Sequence, residues 1–169
     1  MHDLDVRKVK KNIKSLEDLE MQNLLKTELA HKFALMECCG WIEEKMHQII
    51  FDYIDRKSND PILRDSVKDS IKNMNYSLRY SDFREKLISA LGEIRTQGIE
   101  GCIAAYDDTY FNFEHFKQFL TELKRQRDTC AHTYARTGAA PVLGFTQIKE
   151  RLDYANRGLS IFQSFIRRR

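Results

Sequence analysis

Residues 27–57, TELAHKFALMECCGWIEEKMHQIIFDYIDRK, contain one glycine and no proline. Their apolar positions Ala30, Phe33, Ala34, Cys38, Trp41, Ile42, Met46, Ile49, Ile50 and Tyr53 recur three and four apart, the spacing of one helix face. This predicts one long helix, and the rest of the chain reads at the same period. Upstream, the charged stretch 4–25 carries Val6, Val9, Ile13 and Leu16, a first amphipathic helix expected to break near Ser15. Downstream, Asp60-Pro61 is a helix start, with the carboxylate as N-cap and proline at the first helical position. That helix is expected to fade around Asn73 to Asn75. Asp82 followed by Glu85 reads as a capping-box variant opening a helix that stops at Gly92. Residues 93–105 form a further short helix carrying Gly98 and Gly101, and 106–111 read as a loop.

Asn112 is placed to cap the next helix, whose stripe is Phe113, Phe116, Leu120 and Leu123. The last helix follows Pro141 and Gly144, with Phe145, Ile148, Leu152, Ala155, Leu159, Phe162 and Ile166 on one face. Gly158 would let a neighbouring helix come close. No strand-like alternation persists. The expected fold is an all-α antiparallel helical bundle with short accessory helices, one domain spanning 1–169.

Composition agrees with that class. Two prolines and seven glycines in 169 residues are too few for a sandwich, a barrel or a low-complexity linker. No apolar run approaches a membrane span, and the first residues lack the apolar region of a signal peptide, so the expectation is a soluble, cytoplasmic protein with no membrane partner. Cys38, Cys39, Cys102 and Cys130 contain no Cys-x-x-Cys pair; reduced thiols are expected, with no metal and no cofactor. Charge is unevenly spread. Residues 1–116 hold 17 Lys+Arg against 21 Asp+Glu, whereas 117–169 hold 11 against 4, a basic last third suited to a phosphate-rich partner.

The stretch carrying chemistry is LKRQRDTCAHTY, 123–134. Following the stripe Phe116, Leu120, Leu123 one further turn reaches Arg127. A guanidinium on a core-facing stripe must meet anions or a wet cleft. Arg125 falls with Gln118 and Glu122 on a polar face and needs no such partner. His132 stands five residues beyond Arg127, about 140° round an ideal helix. The two converge only if the helix ends between them or if two chains each donate a pair.

Arginine, a short spacer and histidine near the end of a bundle helix resembles the signature of HEPN domains. Asp128 after the arginine, Ala131 before the histidine and Tyr134 two residues beyond it are similar to that pattern, and Gly40-Trp41-Ile42-Glu43 is similar to a glycine, aromatic, aliphatic, acid pattern of some HEPN groups. The resemblance covers about 27–166, with 58–105 as a helical insertion that a minimal member lacks. It implies a metal-independent endoribonuclease of the toxin or phage-defence kind, working as a homodimer with a composite site. Arg127 and His132 would be catalytic, supported by Asp128, Tyr134, Glu43 and Glu37. It also implies RNA as substrate, with an antitoxin or nucleotidyltransferase as partner. In toxins of this motif form, such a transferase adds adenylate to the tyrosine matching Tyr134.

Structural roles compete with each of these. Arg127 reads equally as the partner of a buried acid, Glu37 or Glu43, His132 as a cap against the helix dipole, and Tyr134 as core packing. Glu37, Glu43 and Glu44 read equally as solvated charges, and His2, His31, His47 and His115 as structural. The aromatic cluster Tyr106, Tyr110, Phe111, Phe113, Phe116 and Phe119 serves either base stacking or core anchoring. A catalytically inactive HEPN module binding RNA or a protein is the alternative function.

Overall fold

In the computed structural model, residues 5–74, 77–106, 108–132 and 143–168 are described, His132 by its backbone alone. The fold is all-helical. Among the described residues seven α-helices run in chain order, α1 Val6–Met21, α2 Thr27–Lys57, α3 Pro61–Lys72, α4 Tyr80–Leu91, α5 Glu93–Ala104, α6 Phe113–His132 and α7 Phe145–Arg168. No strand occurs among the described residues, and no helix there is long and apolar enough to cross a membrane.

Local chemistry sets most boundaries. Asp60 accepts from the amides of Ile62 and Leu63, satisfying two of the free N–H groups at the start of α3. Asn112 does the same for α6 through the amide of His115 at 2.9 Å. Gly92 ends α4 at φ +85°, in the left-handed region that costs glycine little. Asn23, between α1 and α2, stands at φ +57°, which asparagine tolerates better than most residues.

Three expectations are corrected. The first helix does not break at Ser15; the hydroxyl donates to the Lys11 carbonyl one turn back, and α1 continues to Met21. Helix α4 does not open on an Asp82 cap. It begins at Tyr80, after Arg79, with no side-chain cap, and Asp82 lies in its first turn, where a carboxylate still favours the helix dipole. Phe33 does not join the buried stripe of α2; it is 48 % exposed, while Ala30, Ala34 and Cys38 turn inward.

Helix α2 is the centre of the molecule, contacted by α1, α3, α4, α6 and α7, and α7 in turn packs on α1, α5 and α6. Between Trp41 and Ile54 it is buried nearly all round, polar Lys45, His47 and Gln48 included. That follows from α3 and α4, which pack on α2 in addition to α1, α6 and α7. The stretch 58–105 adds Ile71, Leu78, Phe83, Leu87, Ile99 and Ile103 to the one continuous core.

Helices α6 and α7 are antiparallel and meet through aromatic rings, Phe113 against Phe162 and Phe119 against Tyr154. At their crossing a Cβ on Gly158 would stand 2.4 Å from the Phe116 ring. Phe116 is fully buried and hemmed in by Phe111, Phe119, Tyr154 and Phe162. Gly158→Ala is therefore expected to destabilise the protein by about 1–3 kcal/mol, overpacking outweighing the better helix propensity of alanine. Urea unfolding checks this, and an unchanged midpoint would refute the close contact.

Candidate functional site

Arg127 continues the buried stripe of α6 one turn past Leu123, and its aliphatic stem carries the guanidinium to the seam with α2. There Nη1 donates to Glu43, while Nε and Nη2 donate to Asp128 at 3.3 and 3.2 Å. Asp128 is also paired with Lys124, one turn earlier on α6. The Arg127 and Glu43 side chains are 18 % and 13 % exposed, so the pair is shielded without being sealed. Burial opposes the charge on Arg127, yet Glu43 and Asp128 outweigh it and raise the guanidinium above its ordinary pKa. Lys124 foremost, with Arg127, holds the Asp128 carboxyl below its usual range.

Of the five guanidinium N–H groups, three are engaged in these bonds, leaving one on Nη1 and one on Nη2 without a partner among the described residues. The arrangement is a fixed cation with two donors to spare. An oxyanion is the ligand such a fork recognises.

The expected site residues fare differently. Glu43 and Asp128 are brought to Arg127. Glu37 is not; it accepts from Asn12 of α1 at 3.1 Å, six residues and about 240° round α2 from Glu43. Arg125 pairs with Glu122 on the exposed face, as its position predicts. Helix α6 runs unbroken through His132, which removes the option that the helix ends between Arg127 and His132. Within one chain these positions stay about 140° apart. The His132 side chain and all of Tyr134 lie outside the described residues.

Sequence reasoning missed Lys124 and a buried polar contact beside the site. Lys86 of α4 meets Nε2 of His47 at 2.6 Å, both residues 4 % exposed, and His47 stacks on Phe51. Glu43, His47, Ser77 and Lys86 line the same small cavity between α2 and α4. Burial, then the Lys86 charge, lowers the His47 pKa from 6.5 to about 4. Burial likewise lowers that of Lys86, with Glu43 opposing. No local pattern flagged this contact, since the partners are 39 residues apart.

The four cysteines are free thiols; burial pushes Cys38 up to about 12. Among the described residues no group of three or more His, Cys, Asp or Glu is placed to hold a metal ion. Of the aromatic cluster, Phe111, Phe113, Phe116 and Phe119 are core, while Tyr106 and Tyr110 are 43 % and 72 % exposed.

Fold and cluster together define an all-helical bundle with an arginine anchored by two carboxylates near the end of a core-facing helix. No family model matches this chain, and no curated protein or solved structure gives a significant match.

Proposed function

We propose that this chain is a metal-independent endoribonuclease of the HEPN type. The observation that carries the reading is Arg127 itself, a guanidinium on the core stripe of α6, locked by Glu43 and Asp128 with two N–H donors not engaged by any described residue. His132 closes the same helix. Because the two positions lie on different faces of α6, one chain does not bring them together. A two-fold dimer with α6 near the axis supplies the second set of residues.

In this reading an imidazole near neutral pKa takes the proton from a ribose 2′-OH, whose oxygen attacks the adjacent phosphorus. The bond to the 5′-oxygen breaks, a second imidazole protonates that oxygen, and a 2′,3′-cyclic phosphate remains. Arg127 stabilises the charge gathering on the non-bridging oxygens. RNA is required because its own hydroxyl is the nucleophile. Cytoplasmic RNA is the substrate this implies, with control by an antitoxin or by adenylation of Tyr134 as its regulatory counterpart.

The test is incubation of single-stranded RNA with the purified protein in EDTA. Products ending in 2′,3′-cyclic or 3′-phosphate are expected, with the matching DNA uncut and the protein dimeric by sedimentation at tens of micromolar. RNA left intact by a dimeric, folded protein would defeat the catalytic reading.

A second reading, a module that binds a protein partner without catalysis, is favoured by the groove between α1 and α2. This groove of about 800 Å³ is lined by Phe33, Met36, Gly40, Trp41 and Leu16. Among the described residues the buried indole Nε1 of Trp41 has no hydrogen-bond partner, and a Cβ at Gly40 would meet nothing within 4 Å. Intact RNA together with stable complex formation at this groove would select it.

A further inference from the structure

Along α7, Tyr154, Arg157, Ile161, Phe165 and Arg168 follow one another at spacings of three and four, and so share a face. Beside this face lie Tyr106 and residues 108–111. Tyr106 packs edge-on against Phe165, ring centroids 5.8 Å apart, and Arg157 sits over the Tyr110 ring at 5.0 Å. Arg168 lies over Phe165 at 5.6 Å. Rings and cations therefore alternate along the face.

Tyr154 and Phe165 are partly buried against the core, but the core does not need Tyr106 and Tyr110. Phe111, Phe113, Phe116 and Phe119 fill it, while Tyr106 and Tyr110 keep much of their surface in water. At the Tyr154 end a hollow of about 420 Å³ opens between Tyr106, Tyr110, Asn112, His115 and Tyr154. Asp108 also lines it, but both of its oxygens accept from Arg157 at 2.8 Å. The carboxylate is spent on holding the guanidinium against the ring. Arg157 remains 44 % exposed.

We infer that this face of α7 is a stacking platform for single-stranded nucleic acid, its rings taking bases and its arginines the phosphates between them. Every base has a π-face, so such platforms tolerate sequence, and they need an unpaired strand because a duplex hides those faces. From Tyr154 to Arg168 the face is about 21 Å long, room for roughly six stacked nucleotides. Because α7 runs antiparallel to α6, with Phe113 against Phe162 and Phe119 against Tyr154, Tyr154 is nearer than Arg168 to the Arg127 end of α6. The inference rests on the ribonuclease reading for the identity of the strand as RNA, and is tested without cleavage.

The experiment measures binding of fluorescein-labelled 12-mers by anisotropy, using 2′-O-methyl RNA, which lacks the attacking hydroxyl, and DNA of the same sequence. Both strands are expected to bind within several-fold of each other, more tightly than the corresponding duplex. Tyr110→Ala and Tyr106→Ala are each expected to weaken binding by roughly five- to a hundredfold, Tyr110→Phe to retain it, and Arg168→Ala to lower the salt dependence by about 0.7 in log–log slope. Circular dichroism melts confirm folding of these surface variants. Affinity unmoved by the tyrosine changes, equal binding of the duplex, or binding of one strand type alone would each overturn the platform. Single strands bound in this way by a protein that cleaves no RNA would leave the platform standing and remove the nuclease.

Discussion

Arg127→Ala is expected to lower RNA cleavage by about 10²–10³-fold, the usual cost of removing one fixed donor to a developing oxyanion. It should also destabilise the fold, because Glu43, 13 % exposed, loses its counter-ion at the α2–α6 seam. A shielded but unsealed pair puts that cost at about 1–3 kcal/mol. The two effects separate in Arg127→Lys. Lysine keeps the charge beside Glu43 and Asp128 but loses the planar fork that leaves two N–H groups for a phosphate. Stability near that of the parent with cleavage still down at least tenfold is the expected result. If Arg127→Lys cleaves normally, the guanidinium acts as a structural cation and the catalytic role assigned to it is wrong. His132→Ala should remove activity without the loss of stability seen for Arg127→Ala.

The second large effect is on stability against pH. His47 sits between Phe51 and Lys86, and with Lys86 charged its Nε2 must be the acceptor, leaving the proton on Nδ1. Its pKa falls from 6.5 to about 4 on folding, through burial first and the lysine charge second. Above pH 6.5 both folded and unfolded states hold the ring neutral, so it contributes no pH dependence there. Below 6.5 the unfolded chain takes up a proton that the folded chain refuses. Stability therefore falls as pH drops from 6.5 toward 4, by about 2–3 kcal/mol in full. Urea unfolding at intervals from pH 4 to 8 should show this slope, and His47→Gln, which keeps an acceptor for Lys86 but does not titrate, should flatten it by that amount. Parallel curves for the two proteins would show that the ring takes its proton in the folded state.

The helices were legible in the amino-acid sequence because their causes are local. A helix start depends on a few residues, so Asp60 and Asn112 announced theirs, and Gly92 marked a stop that its positive φ explains. The apolar period found α2 from Thr27 to Lys57 and the buried face of α7 residue by residue. It also singled out Arg127 as a charge on a core stripe. The start of α4 was not legible, since it has no side-chain cap to read. Nor was the exposure of Phe33, because a period reveals a face without revealing what covers its edges.

Which acid meets Arg127 was a question of another kind. Glu37 and Glu43 lie on different sides of α2, and either suited the charge; the rotation of α2 against α6, set by packing along the whole seam, chose Glu43 and left Glu37 to Asn12 of α1. The same packing pressed Lys86 against His47 and divided six neighbouring aromatic residues into four for the core and two for the surface. By itself the sequence determined where helices begin, which faces are apolar and where a charge interrupts them, since hydrogen bonds and side-chain spacing act within a turn or two. The tertiary structure alone decided the partners, because contacts between residues tens of positions apart exist only once several helices have settled their mutual rotations together.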